Sequence, residues 1–237
     1  MQHYFGRIEG NRALLGEEET HHLLNVRRAN VGETIEIGDG ERVFECKVAS
    51  IKPLVIEVVK ESEDRRELNN RICLAFSWLK GDHNELIVLK GTELGVSSFL
   101  PFISDRTVAR PEGKEKAKIE RLQKIAEEGA KQCRRAEIPS VLEFGSYASV
   151  LKKEADIKVL AYEGMAGDSR SLLKVAEGIK EGQSVLFVVG PEGGFSDAEV
   201  QMALKEGFTF VSLGRRILRA ETAAIFGASV LAAAIEG

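Results

Sequence analysis

Hydrophobic and polar residues alternate with a period of two between residues 34 and 59, and this rhythm predicts several short β-strands. Asp39-Gly40 lies between the first two apolar runs and is typical of a tight hairpin turn. One short helix is predicted over residues 17–28, ahead of these strands. Together the segments predict a compact barrel-like module. A charged link over residues 61–70 follows it and marks its end.

From residue 72 onward, apolar strands alternate with amphipathic helices, which predicts an α/β domain with a parallel sheet covered on both faces. The strands are predicted at 72–78, 98–103, 141–144, 158–162, 184–189 and 208–211. The longest helix is expected over residues 115–135, and an apolar helix of small residues closes the chain from residue 220. Nothing in this rhythm indicates a knot, and threaded chains are rare.

The composition is that of an ordinary globular protein. The 237 residues are 43% hydrophobic and 30% charged, enough for one large domain and a small one. The three cysteines are odd in number and lack paired spacing, which favours a reducing cytoplasm over a disulfide framework. The four histidines show no metal-ligand spacing, so we expect no metal site. The longest apolar stretch, residues 223–235, is too short to cross a bilayer, so no membrane span is expected.

The net charge of −4 does not by itself suggest nucleic acid, but basic residues are concentrated locally. Residues 106–135 hold ten lysines and arginines against five glutamates. A charge run of this kind is usually a solvated helix face, and residues 114–124 fit that interpretation. Arginines beside a pocket are more informative, because guanidinium groups suit phosphates and planar bases. The pattern favours a shape-defined RNA site.

A glycine-rich loop follows the apolar run 185–189. Gly190, Gly193 and Gly194 leave main chain open to a ligand, and Ser196 with Glu199 predicts a capping box at the start of a helix. The free N–H groups of that helix would face an anionic group. The loop matches neither a Walker A motif nor a dinucleotide fingerprint. A glycine-rich turn alone is more often a tight connection.

A second loop of this kind follows about twenty residues later. The chain leaves a short strand through Gly214, passes Arg215, Arg216 and Arg219, and enters the closing helix at Ala220. Two such loops at the ends of neighbouring parallel strands are expected to form one pocket.

The segments 190–196 and 212–223, read GPEGGFS and SLGRRILRAETA, resemble the two cofactor motifs of the SPOUT methyltransferases, and in particular of the RsmE-type 16S rRNA (uracil-N3)-methyltransferases. Residues 90–101 and 132–139 resemble further motifs of that family, and residues 21–40 resemble its N-terminal barrel. The resemblance implies a PUA-like β-barrel over residues 1–68. It implies a SPOUT domain over 71–237 with a C-terminal trefoil knot, and a homodimer paired across that region.

The same resemblance implies S-adenosylmethionine as cofactor and 16S rRNA or the small ribosomal subunit as partner. It implies these cofactor-binding residues: Tyr162, Glu163, Val189, Gly190, Pro191, Glu192, Gly193, Gly194, Leu213, Gly214, Ile217, Leu218, Ala220 and Thr222. Arg219 and Glu221 are the catalytic candidates, although an early-turn glutamate also suits the helix dipole. The RNA-binding candidates are Arg27, Arg28, Arg106, Arg110, Gln132, Arg134, Arg135, Arg215 and Arg216.

Two alternatives remain open at this point. One is a SPOUT methyltransferase with another RNA target, such as a ribose 2′-hydroxyl, although the arginine-rich motif is absent from ribose-methylating relatives. The other is a non-catalytic RNA-binding module, which would not require the glycine loops. The chain starts with His3-Tyr4-Phe5 where the family has an arginine-aromatic pair, so Arg27 and Arg28 either take over this RNA contact or are solvated helix-end charges.

Overall fold

The computed structural model describes residues 1–64, 66–162 and 170–237, and these divide into two compact units. The first unit comprises residues 1–67 and 130–138, and the second comprises residues 68–129 and 139–237. The chain thus passes from the first unit to the second between Glu67 and Leu68, within the charged link. The inclusion of residues 130–138 in the first unit was not anticipated.

The first unit is a closed five-stranded barrel in the order β1-β2-β5-β4-β3, in which β1 runs parallel to β3. Its core contains Tyr4, Leu23, Ile35 and Ile37, all at most 1% exposed. The barrel is built from β1 (Gln2–Glu9), β2 (Arg12–Leu15), α1 (Glu17–His21), a π-helical turn (His22–Val26), β3 (Thr34–Gly38), β4 (Val43–Ile51) and β5 (Leu54–Glu61). The barrel prediction is confirmed, but β1 and β2 were missed because their patterns mix polar and apolar residues on both faces.

The helix predicted over residues 17–28 is interrupted. α1 ends at His21, and the following turn is π-helical. Arg28 has a φ of 54°, in the left-handed region, so a right-handed helix cannot continue through it. The hairpin prediction is confirmed between β3 and β4, where Gly40 has a φ of 103° and the carboxylate of Asp39 accepts bonds from the backbone N–H groups of residues 41 and 42.

The carboxylate of Glu67 explains why residues 130–138 group with the barrel. It accepts bonds from Nε and Nη2 of Arg135 at 2.9 and 2.6 Å, and from the backbone N–H groups of Ala136 and Glu137 at 2.9 and 3.2 Å. Arg135 is only 3% exposed, so its charge is neutralised in place. The backbone carbonyl of Ala136 also accepts a bond from Gly40 N.

The second unit contains an eight-stranded sheet in its described residues, with the order β11-β13-β10-β12-β6-β7-β8 and with β9 beside β7. Every pairing in this sheet that the structure describes is parallel. Its strands are β6 (Arg71–Ser77), β7 (Ser98–Ile103), β8 (Ser140–Val141), β9 (Gly145–Ser146), β10 (Ile157–Ala161), β11 (Arg170–Ser171), β12 (Ser184–Val189) and β13 (Thr209–Ser212). The helices are α2 (His83–Glu93), α3 (Glu115–Cys133), α4 (Tyr147–Leu151), α5 (Leu172–Ala176), α6 (Asp197–Lys205) and α7 (Ala220–Glu236), and the end of α3 from residue 130 onward belongs to the first unit.

Both faces of this sheet are covered, as the apolar strands predicted. Along β6, Ile72 and Leu74 pack in one buried cluster, whereas Cys73 and Ala75 pack in the other. Helix α7 covers the first face at close range, because a Cβ on Gly227 would collide with the ring of Phe187 on β12. The small residues of α7 therefore serve tight packing against the sheet.

Two element boundaries differ from the sequence prediction. The strand expected at 141–144 is replaced by the two-residue strands β8 and β9, which flank residues 142–144. The helix expected over 115–135 ends at Cys133, because Arg134 has a φ of 60° and leaves the helical path. No helix among the described residues is long and apolar enough to cross a membrane.

Candidate functional site

The loops after β12 and β13 line one cavity of about 650 Å³ in the second unit. This confirms that the two glycine-containing turns converge. The loop after β6 completes the wall, since β6 and β12 are neighbours and their carboxyl ends open at the same edge of the sheet. The lining residues are Lys80, His83, Ala161, Tyr162, Val189, Gly190, Pro191, Glu192, Gly194, Phe195, Val211, Leu213, Ile217, Leu218, Arg219, Ala220, Glu221 and Ala223.

The glycine loop takes a shape that side chains would obstruct. A Cβ on Gly190 would come within 2.9 Å of the ring of Phe195, which is buried beneath the loop. Gly194 has a φ of 67°, in the left-handed region. The predicted capping box is present, since Ser196 N donates to the carboxylate of Glu199 at 2.8 Å and Glu199 N donates to Ser196 Oγ at 3.3 Å.

A neighbouring loop braces the glycine loop from the end of β7. Asp105 N donates to Glu199 Oε1 at 2.9 Å, and Ser196 Oγ donates to Asp105 Oδ2 at 2.7 Å. Arg106 Nη1 donates to the carbonyl oxygen of Gly193 at 3.1 Å. Arg106 is therefore engaged with the loop itself, whereas the sequence had suggested only contact with RNA.

The second loop turns at Gly214, which has a φ of 121° and donates its N–H to Ser212 Oγ at 3.2 Å. Arg219 is the N-cap residue of α7 and has an extended backbone, so that its side chain departs just before the helix and lines the cavity. Ile217 lines the same cavity and is 86% exposed.

Glu221 lies in the first turn of α7, lines the cavity and is 9% exposed. Its Oε1 is 3.6 Å from Nδ1 of His83, at the start of α2. Lys80 and His83 were not predicted as site residues. The signal that could have found them is position, since both follow directly after the predicted strand 72–78. The order of strands was needed to place that strand beside β12.

Most of the predicted cofactor-binding residues lie together. Gly193, Gly214 and Thr222 belong to the same loops and helix start but do not line the cavity. Glu163 lies outside the described residues. The roles assigned to all of these residues stay predictions.

The predicted RNA-binding residues are divided between the units. Arg106, Arg110, Arg215 and Arg216 belong to the second unit and are exposed. The first unit holds Arg27, Arg28, Gln132, Arg134 and Arg135. Of these only Arg135 is buried, with its guanidinium bound by Glu67, whereas the others are exposed.

The cavity has the size and mixed lining of a small-molecule site. Its apolar residues come from the strand ends, both loops and the start of α7, and its charged residues are Lys80, Arg219, Glu192 and Glu221, with His83 in addition. Charges of both signs suit a ligand that carries both. Among the described residues, no group of three or more His, Cys, Asp or Glu is placed to hold a metal ion.

A family model described as an RNA methyltransferase domain matches residues 66–232, which is most of the chain. The chain belongs to this RNA methyltransferase family. A second model, described as an RNA methyltransferase PUA domain, matches residues 15–59, within the barrel.

Individual members of the RNA methyltransferase family match over nearly their whole length. The ribosomal RNA small subunit methyltransferase E of Bacillus subtilis is 36% identical over 248 residues, which cover 98% of this chain and 96% of the relative. A putative methyltransferase from Legionella pneumophila, solved with S-adenosylmethionine, superposes with a TM-score of 0.84 at 28% identity, covering 99% and 98% of the two chains. A ribosomal RNA small subunit methyltransferase E from Neisseria gonorrhoeae, bound to S-adenosylmethionine, has a TM-score of 0.84 at 27% identity, covering 98% and 96%.

Proposed function

We propose that this protein transfers a methyl group from S-adenosylmethionine to N3 of a uridine in 16S rRNA of the small ribosomal subunit. The observation that carries the proposal is the single cavity formed by the loops after β12, β13 and β6. The full-length similarity to the Bacillus subtilis small-subunit enzyme supports the RNA target. The two relatives solved with S-adenosylmethionine support the methyl donor.

The residues around the cavity fit such a donor. The open backbone from Gly190 to Gly194 suits the polar end of the molecule, and the backbone from Leu213 to Leu218 suits an apolar ring such as adenine. Glu192 offers a carboxylate for the ammonium group of the donor. When bound, S-adenosylmethionine supplies a methyl group that its own sulfonium charge already activates.

The protein must then supply what the uracil lacks. N3 of uracil carries a proton at neutral pH, and loss of this proton spreads negative charge over two carbonyl oxygens. Arg219 lines the cavity, and its guanidinium is suited to donate hydrogen bonds to that charge and so to stabilise the anion. Glu221 is the candidate proton acceptor, because it lines the same cavity two residues after Arg219, while its place at the start of α7 also suits the helix dipole.

The second part of the proposal concerns the assembly. We propose a homodimer that pairs through α7, on which Phe226 is 43% exposed despite its size. We also propose the C-terminal trefoil knot of the SPOUT fold, which the strand order β11-β13-β10-β12 supports, since the late strand β13 lies between two earlier ones. An rRNA substrate implies action in the cytoplasm, where ribosomal subunits are found.

Two measurements test the proposed function. Isothermal calorimetry is expected to detect S-adenosylmethionine binding, and its failure with properly folded protein would rule out the enzyme. Mass analysis of nucleosides from 16S rRNA of a deletion strain is expected to show loss of 3-methyluridine, with recovery when the gene is restored. Persistence of 3-methyluridine with loss of a ribose-methylated nucleoside would identify a different RNA target.

A further inference from the structure

A second cavity of about 320 Å³ lies in the second unit, between the end of β6, the start of α2 and the first turns of α3. Trp78 and Lys80 line it from the β6 side, and Lys118 and Arg121 line it from α3. Lys80 also lines the first cavity, so that one lysine borders both. A ligand that extends from the first cavity past Lys80 would enter the second.

The charge of this cavity is positive. Glu85 is its only acidic lining residue in the described part of the chain, and Arg121 neutralises it through bonds of 2.7 and 3.0 Å. Neither Lys80 nor Lys118 forms an ion pair with any described carboxylate. Two ammonium groups are therefore left to attract an anion.

The aromatic residue in this cavity is not arranged to stack on a base. Trp78 is only 7% exposed, and its ring is covered by Lys118 Nζ, 4.9 Å from the centroid. The ring of Phe144 packs against it edge-on at 4.9 Å. Since these contacts occupy the Trp78 ring, the groups left to meet a ligand are the ammonium groups, and lysines bind phosphates as point charges.

The segment that carries Lys80 is held in a defined shape. The side chain of buried Asn84 accepts a bond from Leu79 N at 2.9 Å and donates one to Leu79 O at 2.8 Å. Gly81 follows with a φ of 65°. This support fixes the start of the loop between the two cavities, which reduces the ordering cost when a ligand binds.

We propose that the second cavity binds a backbone phosphate of the RNA strand, adjacent to the nucleotide whose base enters the first cavity. The inference rests on the proposed function for the identity of the RNA. What it adds is a phosphate subsite that Lys80 and Lys118 form, separate from the arginines near the glycine loop. The sequence predicts that residues 114–124 form a solvated helix face, whereas this proposal gives Lys118 a role in binding RNA.

Trp78 is the only tryptophan in the chain, so its fluorescence reports on this cavity alone. Titration of the full-length protein with a single-stranded RNA oligonucleotide that contains the target uridine is expected to change the Trp78 emission, because a bound phosphate competes for the ammonium above the ring. Inorganic phosphate is expected to give the same change only at much higher concentration. An equal response to free phosphate and to RNA would overturn the assignment to an RNA strand.

The variant Lys118→Gln tests the subsite, with Lys116→Gln as the matched control. Lys116 lies on the same helix and carries the same charge, but its side chain is 93% exposed and does not line the cavity. Lys118→Gln is expected to weaken RNA binding on the order of tenfold, the size of one charge-assisted hydrogen bond. It should also lower the slope of log affinity against log salt by about 0.7, as expected for one phosphate contact on a single strand.

Lys116→Gln is expected to leave both quantities near wild type, and Lys118→Arg to restore most of the affinity. S-adenosylmethionine binding should be unchanged in all three variants, which would show that the fold and the first cavity are intact. Equal effects of Lys118→Gln and Lys116→Gln in a protein that methylates RNA would refute the phosphate subsite alone. A wild-type protein without methyl transfer would refute the proposed function, whereas the Trp78 titration would still report on the subsite.

Discussion

Glu199 offers the most direct test of how the glycine loop is held. Glu199 is 3% exposed, and its carboxylate accepts bonds from two backbone N–H groups, those of Ser196 and Asp105. These bonds join the start of α6 to the loop after β7. In Glu199→Gln the side chain keeps its length, but the amide has one acceptor oxygen and a donor NH₂ group, so one of the two N–H groups loses its acceptor.

The size of the effect follows from that count. A hydrogen bond to a charged group contributes about 1.5–3 kcal/mol, so that Glu199→Gln should destabilise the protein by about 2 kcal/mol. In a chain of this length the midpoint of thermal unfolding should then fall by about 4–8 °C. Glu199→Ala removes both acceptors and should lower it roughly twice as far. The loosened loop must be ordered again by the ligand, which should raise the Kd for S-adenosylmethionine by roughly fivefold.

Differential scanning calorimetry and isothermal titration measure the two quantities on the same samples. Asp197→Asn is the matched control, since Asp197 also lies in the first turn of α6 but is exposed. It removes the same charge without removing either bond. If Glu199→Gln and Asp197→Asn have the same unfolding midpoint and the same Kd for S-adenosylmethionine, the Glu199 carboxylate does not hold the glycine loop in position.

Three further substitutions or modifications test other parts of the molecule. Arg219→Ala should abolish methyl transfer, while the affinity for S-adenosylmethionine stays within about tenfold of wild type, or about 1.4 kcal/mol. A larger loss of affinity in calorimetry would mean that this arginine mainly binds the donor. Gly194→Ala should lower the free energy of unfolding, measured in urea, by about 1–2 kcal/mol, because alanine disfavours the left-handed φ of 67°. No atom obstructs the new methyl group, so unchanged stability would show that the loop has relaxed. Burial raises the pKa of the Cys46 thiol to about 11, so at pH 8 iodoacetamide should label it only after unfolding, and rapid labelling of the native protein in peptide mass analysis would contradict that burial.

The parts of the fold and of the site that the sequence predicts correctly are those governed by local rules. The capping box of Ser196 and Glu199 depends on a spacing of three residues, and the Asp39-Gly40 turn on two adjacent ones. The two strands that end at Val189 and Ser212 are apolar and short, and glycine follows each of them closely. Patterns of this kind are set within a few residues, so the neighbouring sequence is sufficient to read them.

Other features depend on contacts between distant residues and have no local signal. Glu67 and Arg135 are far apart in the chain. Nothing in the sequence near either residue indicates that the Glu67 carboxylate accepts bonds from the Arg135 guanidinium and from two backbone N–H groups. The sequence therefore predicts that Arg135 binds RNA, whereas its guanidinium donates to Glu67. Similarly, Arg106 binds the carbonyl of Gly193 only because β7 and β12 both flank β6 in the sheet.

Strand order also determines which residues meet at the cavity. The parallel alternation of strands and helices is visible in the sequence, but the alternation is compatible with many orders of strands. With β12 between β10 and β6, the loops after these strands open together, and this places Lys80 and His83 opposite Glu221 and Arg219. A site assembled from the carboxyl ends of adjacent strands is sensitive to that order. The lysine shared by the two cavities follows from the same arrangement, because the β6 end borders the first cavity on one side and α3 on the other.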